Sequence, residues 1–150
     1  MRKIIRAVAG AFVVVVALFC DGAAAAGSHV VNVQLQDPSS GGGAKSMRIA
    51  LDRDSVPAGK VTFRAVNQSK DVVHELVVVQ LKPDQAELPY DEKHQEVVEK
   101  KVKRFGEIDN VKPGRSGTMT VNLKPGSYIL ICNEKGHYKA GMSVPLTVTK

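Results

Sequence analysis

One stretch near the C-terminus constrains the chain more than any other: Cys132-Asn133-Glu134-Lys135-Gly136-His137-Tyr138-Lys139-Ala140-Gly141-Met142. Four residues separate Cys132 from His137 and four more separate His137 from Met142, so a thiol, an imidazole and a thioether share one short loop. The stretch lies between two apolar runs, Tyr128-Ile129-Leu130-Ile131 and Val144-Pro145-Leu146-Thr147-Val148. Both runs read as strands, with Gly136 and Gly141 supplying tight bends in the connection between them. Three soft donors on one loop can close around a metal ion. A fourth has to come from elsewhere.

The rest of the chain limits what that loop belongs to. Its 150 residues, 43% hydrophobic, suit one small domain rather than two. The first residues lie outside that domain. Arg2, Lys3 and Arg6 precede the uncharged, mostly apolar run Ala7 to Phe19, and Ala23-Ala24-Ala25-Ala26 offers a small-residue cleavage site before Gly27. This is the pattern of a secretory signal peptide over residues 1–26, leaving a domain of 27–150 and predicting a periplasmic protein. The apolar run is short for a membrane-spanning helix, and no second one follows. Lipid attachment at Cys20 is disfavoured by the bulky Phe19 before it. Cleavage removes three positive charges and Asp21, taking the formal charge from +6 to +4. It also removes Cys20, so Cys132 becomes a lone thiol in an oxidising compartment, where it is a liability unless buried or ligated.

Strand signals fill the domain. His29 to Asp37 alternates apolar and polar positions, as do Met47 to Asp52 and Lys60 to Asn67, the last with Val61, Phe63 and Ala65 on one face. Val72 to Gln80 is a β-branched run that can be buried on both faces, and Gly117 to Leu123 alternates again. Between them, Asp91 to Phe105 carries Val98, Val102 and Phe105 at helical spacing, with Glu96/Lys100 and Glu99/Lys103 four apart in the favourable order, and predicts a short surface helix. The expectation is all-β: an antiparallel Greek-key β-sandwich or barrel of seven to eight strands, with a short helix in an insertion.

Among the other histidines, His29 is near the new N-terminus and His94 on the expected helix, whereas His74 sits at the start of a buried strand. A lone histidine beside an apolar run is more often a satisfied core residue than a ligand. Next to a Cys, His and Met loop short of one nitrogen, His74 becomes the candidate. Two imidazoles, a thiolate and a weak axial thioether make a blue-copper site: thiolate and thioether favour Cu(I), imidazole suits Cu(II), and an intermediate geometry reduces reorganisation when an electron moves. Structural zinc sites take Cys and His in fours, and iron–sulfur clusters need several cysteines.

These residues resemble those of the cupredoxins, small copper proteins of the plastocyanin and azurin superfamily. Val56-Pro57-Ala58-Gly59-Lys60-Val61-Thr62-Phe63 with Asn67 is similar to the family's early strand pair, His74-Glu75 to its upstream ligand, and Cys132 to Met142 to its ligand loop. The resemblance implies an eight-stranded Greek-key sandwich with one type 1 copper, bound by His74 and His137 through Nδ1, by Cys132 through sulfur and by Met142 axially. Many members carry Asn after the upstream histidine, where it ties two ligand loops together. Here Glu75 stands in its place, either taking the same backbone donors or lying solvated at a strand edge, with Asn133 the adjoining candidate in the ligand loop.

Four protein donors leave no open position for substrate, which points away from an enzyme and toward one-electron transfer. His137 on the exposed loop is the expected electron gateway. Lys135 and Lys139 flank it, and Lys93, Lys100, Lys101, Lys103 and Arg104 could extend a positive face that steers a redox protein with an acidic surface. A merely solubilising role accounts equally well for these lysines. A copper carrier or buffer without redox cycling is the alternative function, and a Cys–His thiol enzyme a third, although Met142 has no place in it. An exported monomer with few aromatics is a poor match for nucleic acid. A free N-terminus beginning Gly27-Ser28-His29 could also wrap a second Cu(II) in a square-planar nitrogen set, against the simpler expectation of a mobile end.

Overall fold

The computed structural model describes residues 29–40 and 47–150. The signal-peptide segment, the Gly27-Ser28 end and Cys20 therefore lie outside the described residues. Among the described residues eleven strands follow in order: β1 (His29–Gln36), β2 (Arg48–Leu51), β3 (Ser55–Pro57), β4 (Gly59–Asn67), β5 (His74–Gln80), β6 (Tyr90–Asp91), β7 (Glu96–Val97), β8 (Lys103–Val111), β9 (Ser116–Leu123), β10 (Gly126–Ile131) and β11 (Ser143–Thr149). One sheet has the order β2-β1-β4-β9, the other β3-β11-β10-β5-β8, and β6 pairs with β7 as a small ribbon.

The sandwich follows from alternation. Val31, Val33 and Leu35 of β1 and Val61, Phe63 and Ala65 of β4 point inward from the first sheet, and Leu76, Val78, Tyr128 and Leu130 meet them from the second. The sheets are mixed rather than purely antiparallel, because β1 runs parallel to β4 and β11 parallel to β3. The chain leaves the first sheet after β2, adds β3 to the second, and returns as β4 beside β1 in the same direction. Tyr128, fully buried in the core, donates its hydroxyl to the Lys124 carbonyl at 2.9 Å and meets the ring of Phe105 edge-on at 5.4 Å.

β5 is buried on both faces, as its β-branched run predicts. Val77 and Val79 face away from the main core into a second cluster with Leu88, Val97 and Ile131. The insertion after β5 supplies Leu88 and Val97 to that cluster and so covers the outer face of the sheet.

The expected helix over 91–105 is not there. Its place is taken by the β6–β7 ribbon, a single 3-10 turn at Glu99–Lys101 and the long strand β8. The Asp91 carboxylate accepts the backbone N–H groups of Lys93 and His94 at 2.9 and 3.1 Å, closing a turn, and Gln95 then adopts a left-handed φ of 61°. The backbone N–H of Val97 donates to Asn133 Oδ1 at 2.6 Å instead of to a helical carbonyl. Pairing of β8 with β5 overrides the local helical spacing, and a charged run with few apolar anchors has little to oppose it.

Candidate metal centre

Three adjacent strands position three of the four candidate residues. His74 is the first residue of β5, Cys132 directly follows β10, and Met142 directly precedes β11. In the sheet these strands are neighbours, in the order β11-β10-β5, so their ends gather the three residues at one edge of the sandwich. The loop closes on itself: Cys132 N–H donates to the Met142 carbonyl at 3.1 Å and Met142 N–H to the His137 carbonyl at 3.0 Å. Gly136 and Gly141 have φ of +82° and +106°, which glycine tolerates. A side chain at Gly141 would also begin 3.0 Å from the Met47 carbonyl oxygen.

One ligand atom from each of His74, Cys132 and His137 lies within 4.8 Å of the others. Cys132 Sγ is 3.9 Å from His74 Nδ1 and 3.3 Å from His137 Nδ1, and the two Nδ1 atoms are 3.3 Å apart. Two ring nitrogens and a sulfur this close together, with His74 and Cys132 fully buried, fit a thiophilic transition-metal ion. His74, Cys132 and Met142 are fully buried, whereas His137 is half-buried, and the side chains of Cys132 and Met142 belong to the main core.

Burial governs the electrostatics. It pushes the Cys132 thiol up to about 12, with the N–H groups of Glu75 and Glu134 working against it, so the metal-free thiol is protonated at neutral pH. Burial, then the nearby His137, takes His74 down to about 4, with Asp37 pulling the other way, and burial lowers His137 too. Both imidazoles are neutral at pH 7, the form that binds metal.

The surroundings are specific. The backbone N–H of Glu75 points at Cys132 Sγ at 3.3 Å, and the Glu75 carboxylate accepts the N–H of Asn133 at 2.7 Å, so Glu75 ties the upstream strand to the ligand loop. Burial raises the Glu75 carboxyl to about 7, the Asn133 N–H opposing and Glu134 adding to the rise. Asn133 clamps Val97 of β7 through both backbone groups, its Oδ1 accepting at 2.6 Å and its amide donating at 3.2 Å.

Other sequence candidates are placed less decisively. Lys135 and Lys139 are exposed near His137; Lys139 is 3.8 Å from Glu87 and lies over the Tyr90 ring at 5.2 Å. Arg104 is paired with Glu99 and Glu107. A cavity of about 700 Å³ opens beside Glu75 and Asn133, and Asp91, Glu96, Glu99 and Glu134 line it together with His94 and Lys100, so the rim of the site carries mixed charge. His94 is exposed and pairs with Asp91 at 2.7 Å. His29 opens β1 opposite Val61, away from the cluster's strands.

Sequence reasoning missed a buried polar frame behind His74, made by Asp37, Ser69 and Asn67. Asp37-Pro38-Ser39-Ser40 carried a local signal, since Asp with Ser two residues on commonly closes a side-chain-to-backbone turn. Nothing in the sequence linked that turn to His74.

The family model for the sulfocyanin (SoxE) domain matches residues 13–150. No curated protein sequence matches the chain. Solved structures similar to it include auracyanin A, a "blue" copper protein from the green thermophilic photosynthetic bacterium Chloroflexus aurantiacus, at 17% identity over 82% of this chain and 100% of that one, with a TM-score of 0.57. Auracyanin B is 26% identical over 81% of this chain and 89% of its own, with a TM-score of 0.55. Rusticyanin from Thiobacillus ferrooxidans is 18% identical over 80% and 76%, with a TM-score of 0.56. With its matched domain, its sandwich fold and its His-Cys-His cluster, the chain belongs to the sulfocyanin family of cupredoxins, the type 1 blue copper proteins.

Proposed function

We propose that the protein is an exported, periplasmic electron carrier that holds one type 1 copper through His74, Cys132, His137 and Met142 and passes single electrons between redox partners. The observation that carries this reading is the convergence of His74 Nδ1, Cys132 Sγ and His137 Nδ1 within 4.8 Å of one another, at the end of three paired strands. The bound copper supplies a one-electron couple in a site whose donors suit both of its oxidation states. The rest is done by the chain. The sheet ends hold His74 and Cys132 in fixed positions, so little has to move between oxidation states. The Glu75 N–H directed at Sγ offsets thiolate charge. Met142, a fully buried member of the same core cluster as Cys132, would be the fourth donor, its thioether supplying a weak soft ligand to the copper. His137, the half-buried member, forms the route by which electrons enter and leave.

Support for export comes from the charged, apolar and small-residue sequence at 1–26. No helix among the described residues is long and apolar enough to cross a membrane. The docking partner is a redox protein, met by the exposed surface around His137, where Lys135 and Lys139 offer positive charge.

Copper added to the purified protein is expected to produce an intense visible charge-transfer band and an electron spin resonance spectrum with small copper hyperfine splitting. Both are expected to vanish in Cys132→Ser. Rapid reduction and reoxidation by an artificial partner, with copper retained in both states, separates electron transfer from simple copper carriage. Loss of the metal on reduction would contradict the reading.

A further inference from the structure

The chain leaving β1 carries Asp37 into a site without solvent: Asp37 is 1% exposed, Ser69 3% and His74 0%. The two carboxylate oxygens have different surroundings. Oδ1 accepts the Ser39 N–H at 2.9 Å, the Ser39 hydroxyl at 2.6 Å and the Ser40 hydroxyl at 3.2 Å. Oδ2 accepts the Ser69 hydroxyl at 2.7 Å and faces His74 Nε2 at 3.8 Å. Ser69 is itself fixed, because its N–H donates to Asn67 Oδ1 at 2.9 Å while the Asn67 amide donates to the carbonyls of Val72 and Val111 at 2.8 and 2.7 Å. Carboxylate, hydroxyl and imidazole thus stand in one buried frame.

His74 Nε2 has no hydrogen-bond partner in that frame, which is unusual for a ring nitrogen with no access to solvent. The 3.8 Å gap to Asp37 is too long for a hydrogen bond and too short for a bridging water, which needs two legs of about 2.8 Å set at an open angle. What remains is a direct contact, with no atom between, of a carboxylate oxygen with one edge of the imidazole.

We infer that Asp37 is a positioning residue for His74: its carboxylate holds the imidazole proton on Nε2 and so keeps the Nδ1 lone pair turned toward Cys132 and His137. A neutral imidazole carries one proton. Placing it on Nδ1 would set the Nε2 lone pair against an anion in a region with no water to screen the repulsion. An anion behind the ring also makes Nδ1 a stronger donor, which favours Cu(II) over Cu(I). This second consequence rests on the copper reading above; the tautomer itself does not.

Imidazole nitrogen chemical shifts of His74 in the metal-free protein at pH 7 are expected to place the proton on Nε2. A proton on Nδ1 overturns the inference, with no variant and no metal involved. Asp37→Asn keeps the shape and removes the charge; Cu(II) affinity is expected to fall 10- to 100-fold, and Cu(I) affinity less. The reduction potential then rises by about 59 mV for each tenfold difference between the two. Ser69→Ala loosens the same frame but leaves the carboxylate, and is expected to stay near the wild-type potential. An unchanged potential and affinity in folded Asp37→Asn, or an equal shift in Ser69→Ala, overturns the role assigned to the charge. If the wild-type protein fails to form a blue site at all, the copper reading falls, and the tautomer measurement still decides what Asp37 does.

Discussion

The carboxylate of Glu75 accepts a 2.7 Å hydrogen bond from the backbone N–H of Asn133, the residue after Cys132. A titratable group therefore sits in the structural link between the two halves of the site, and its protonation is coupled to folding.

In the metal-free protein Glu75 is held at about 7, against an ordinary value of 4.5. Between those values the folded chain keeps a proton that the unfolded chain has lost, so stability falls as pH rises through the window. His74, at about 4 against 6.5, acts the other way: from 6.5 down to 4 the unfolded chain binds the extra proton, and stability falls as pH drops. The two contributions oppose each other where the windows overlap. Glu75→Gln leaves His74 unopposed, and denaturant midpoints of that variant are expected to fall more steeply on acidification than those of wild type. The added loss is on the order of 3 kcal/mol at most.

Copper uptake is expected to release a proton. The Cys132 thiol, at about 12, is protonated through the neutral range, while His74 is already neutral there. Binding as a thiolate expels one proton, so apparent affinity should rise about tenfold per pH unit from 7 to 9. Calorimetry in buffers of different ionisation enthalpy measures the proton directly. Uptake without proton release would exclude Cys132 as a thiolate ligand.

Met142 fills core volume as well as being the proposed axial donor, and the two roles separate by substitution. Met142→Leu conserves volume and is expected to cost less than about 1.5 kcal/mol in metal-free stability. It should nevertheless change the visible spectrum and potential of the copper-loaded protein. Met142→Ala opens a cavity and is expected to cost about 2–5 kcal/mol with or without metal. An unaltered spectrum in Met142→Leu would leave Met142 as a packing residue only.

Asn133→Ala removes both side-chain bonds to Val97 and leaves the buried end of β7 unpaired. The expected loss is about 1–3 kcal/mol per backbone group left unsatisfied. Hydrogen exchange should show the change concentrated in 90–102, with the main core strands still protected.

Where apolar alternation was strict, sequence and structure agree. Val61, Phe63 and Ala65 share an inward face of β4, and the unbroken run of β5 is buried on both sides. The spacing of Cys132, His137 and Met142 marked out the loop because three such side chains are rarely found so close together, and the fold brings the ring of His74, more than fifty residues away, to 3.9 Å from Cys132 Sγ. The segment 91–105 was not legible. Its Val98, Val102 and Phe105 spacing fits a helix locally, but the Asp91 turn and the Asn133 clamp are set by residues outside that pattern. Asp37 was hidden for a related reason: its own turn is local, while the ring it faces comes from a strand on the other sheet.

The gathering of His74, Cys132 and Met142 at the ends of β5, β10 and β11 has a consequence for how the protein tolerates change. Neighbouring strands lie about 4.8 Å apart whatever side chains they carry, so spacing among these three positions is inherited from the backbone ladder. Lengthening the turn around residues 134–141 would displace His137 and leave the other three where the sheet puts them. Variation can therefore move the half-buried imidazole while the three buried residues stay in register, and a shift of one residue in the pairing of β10 with β5 would part His74 from Cys132.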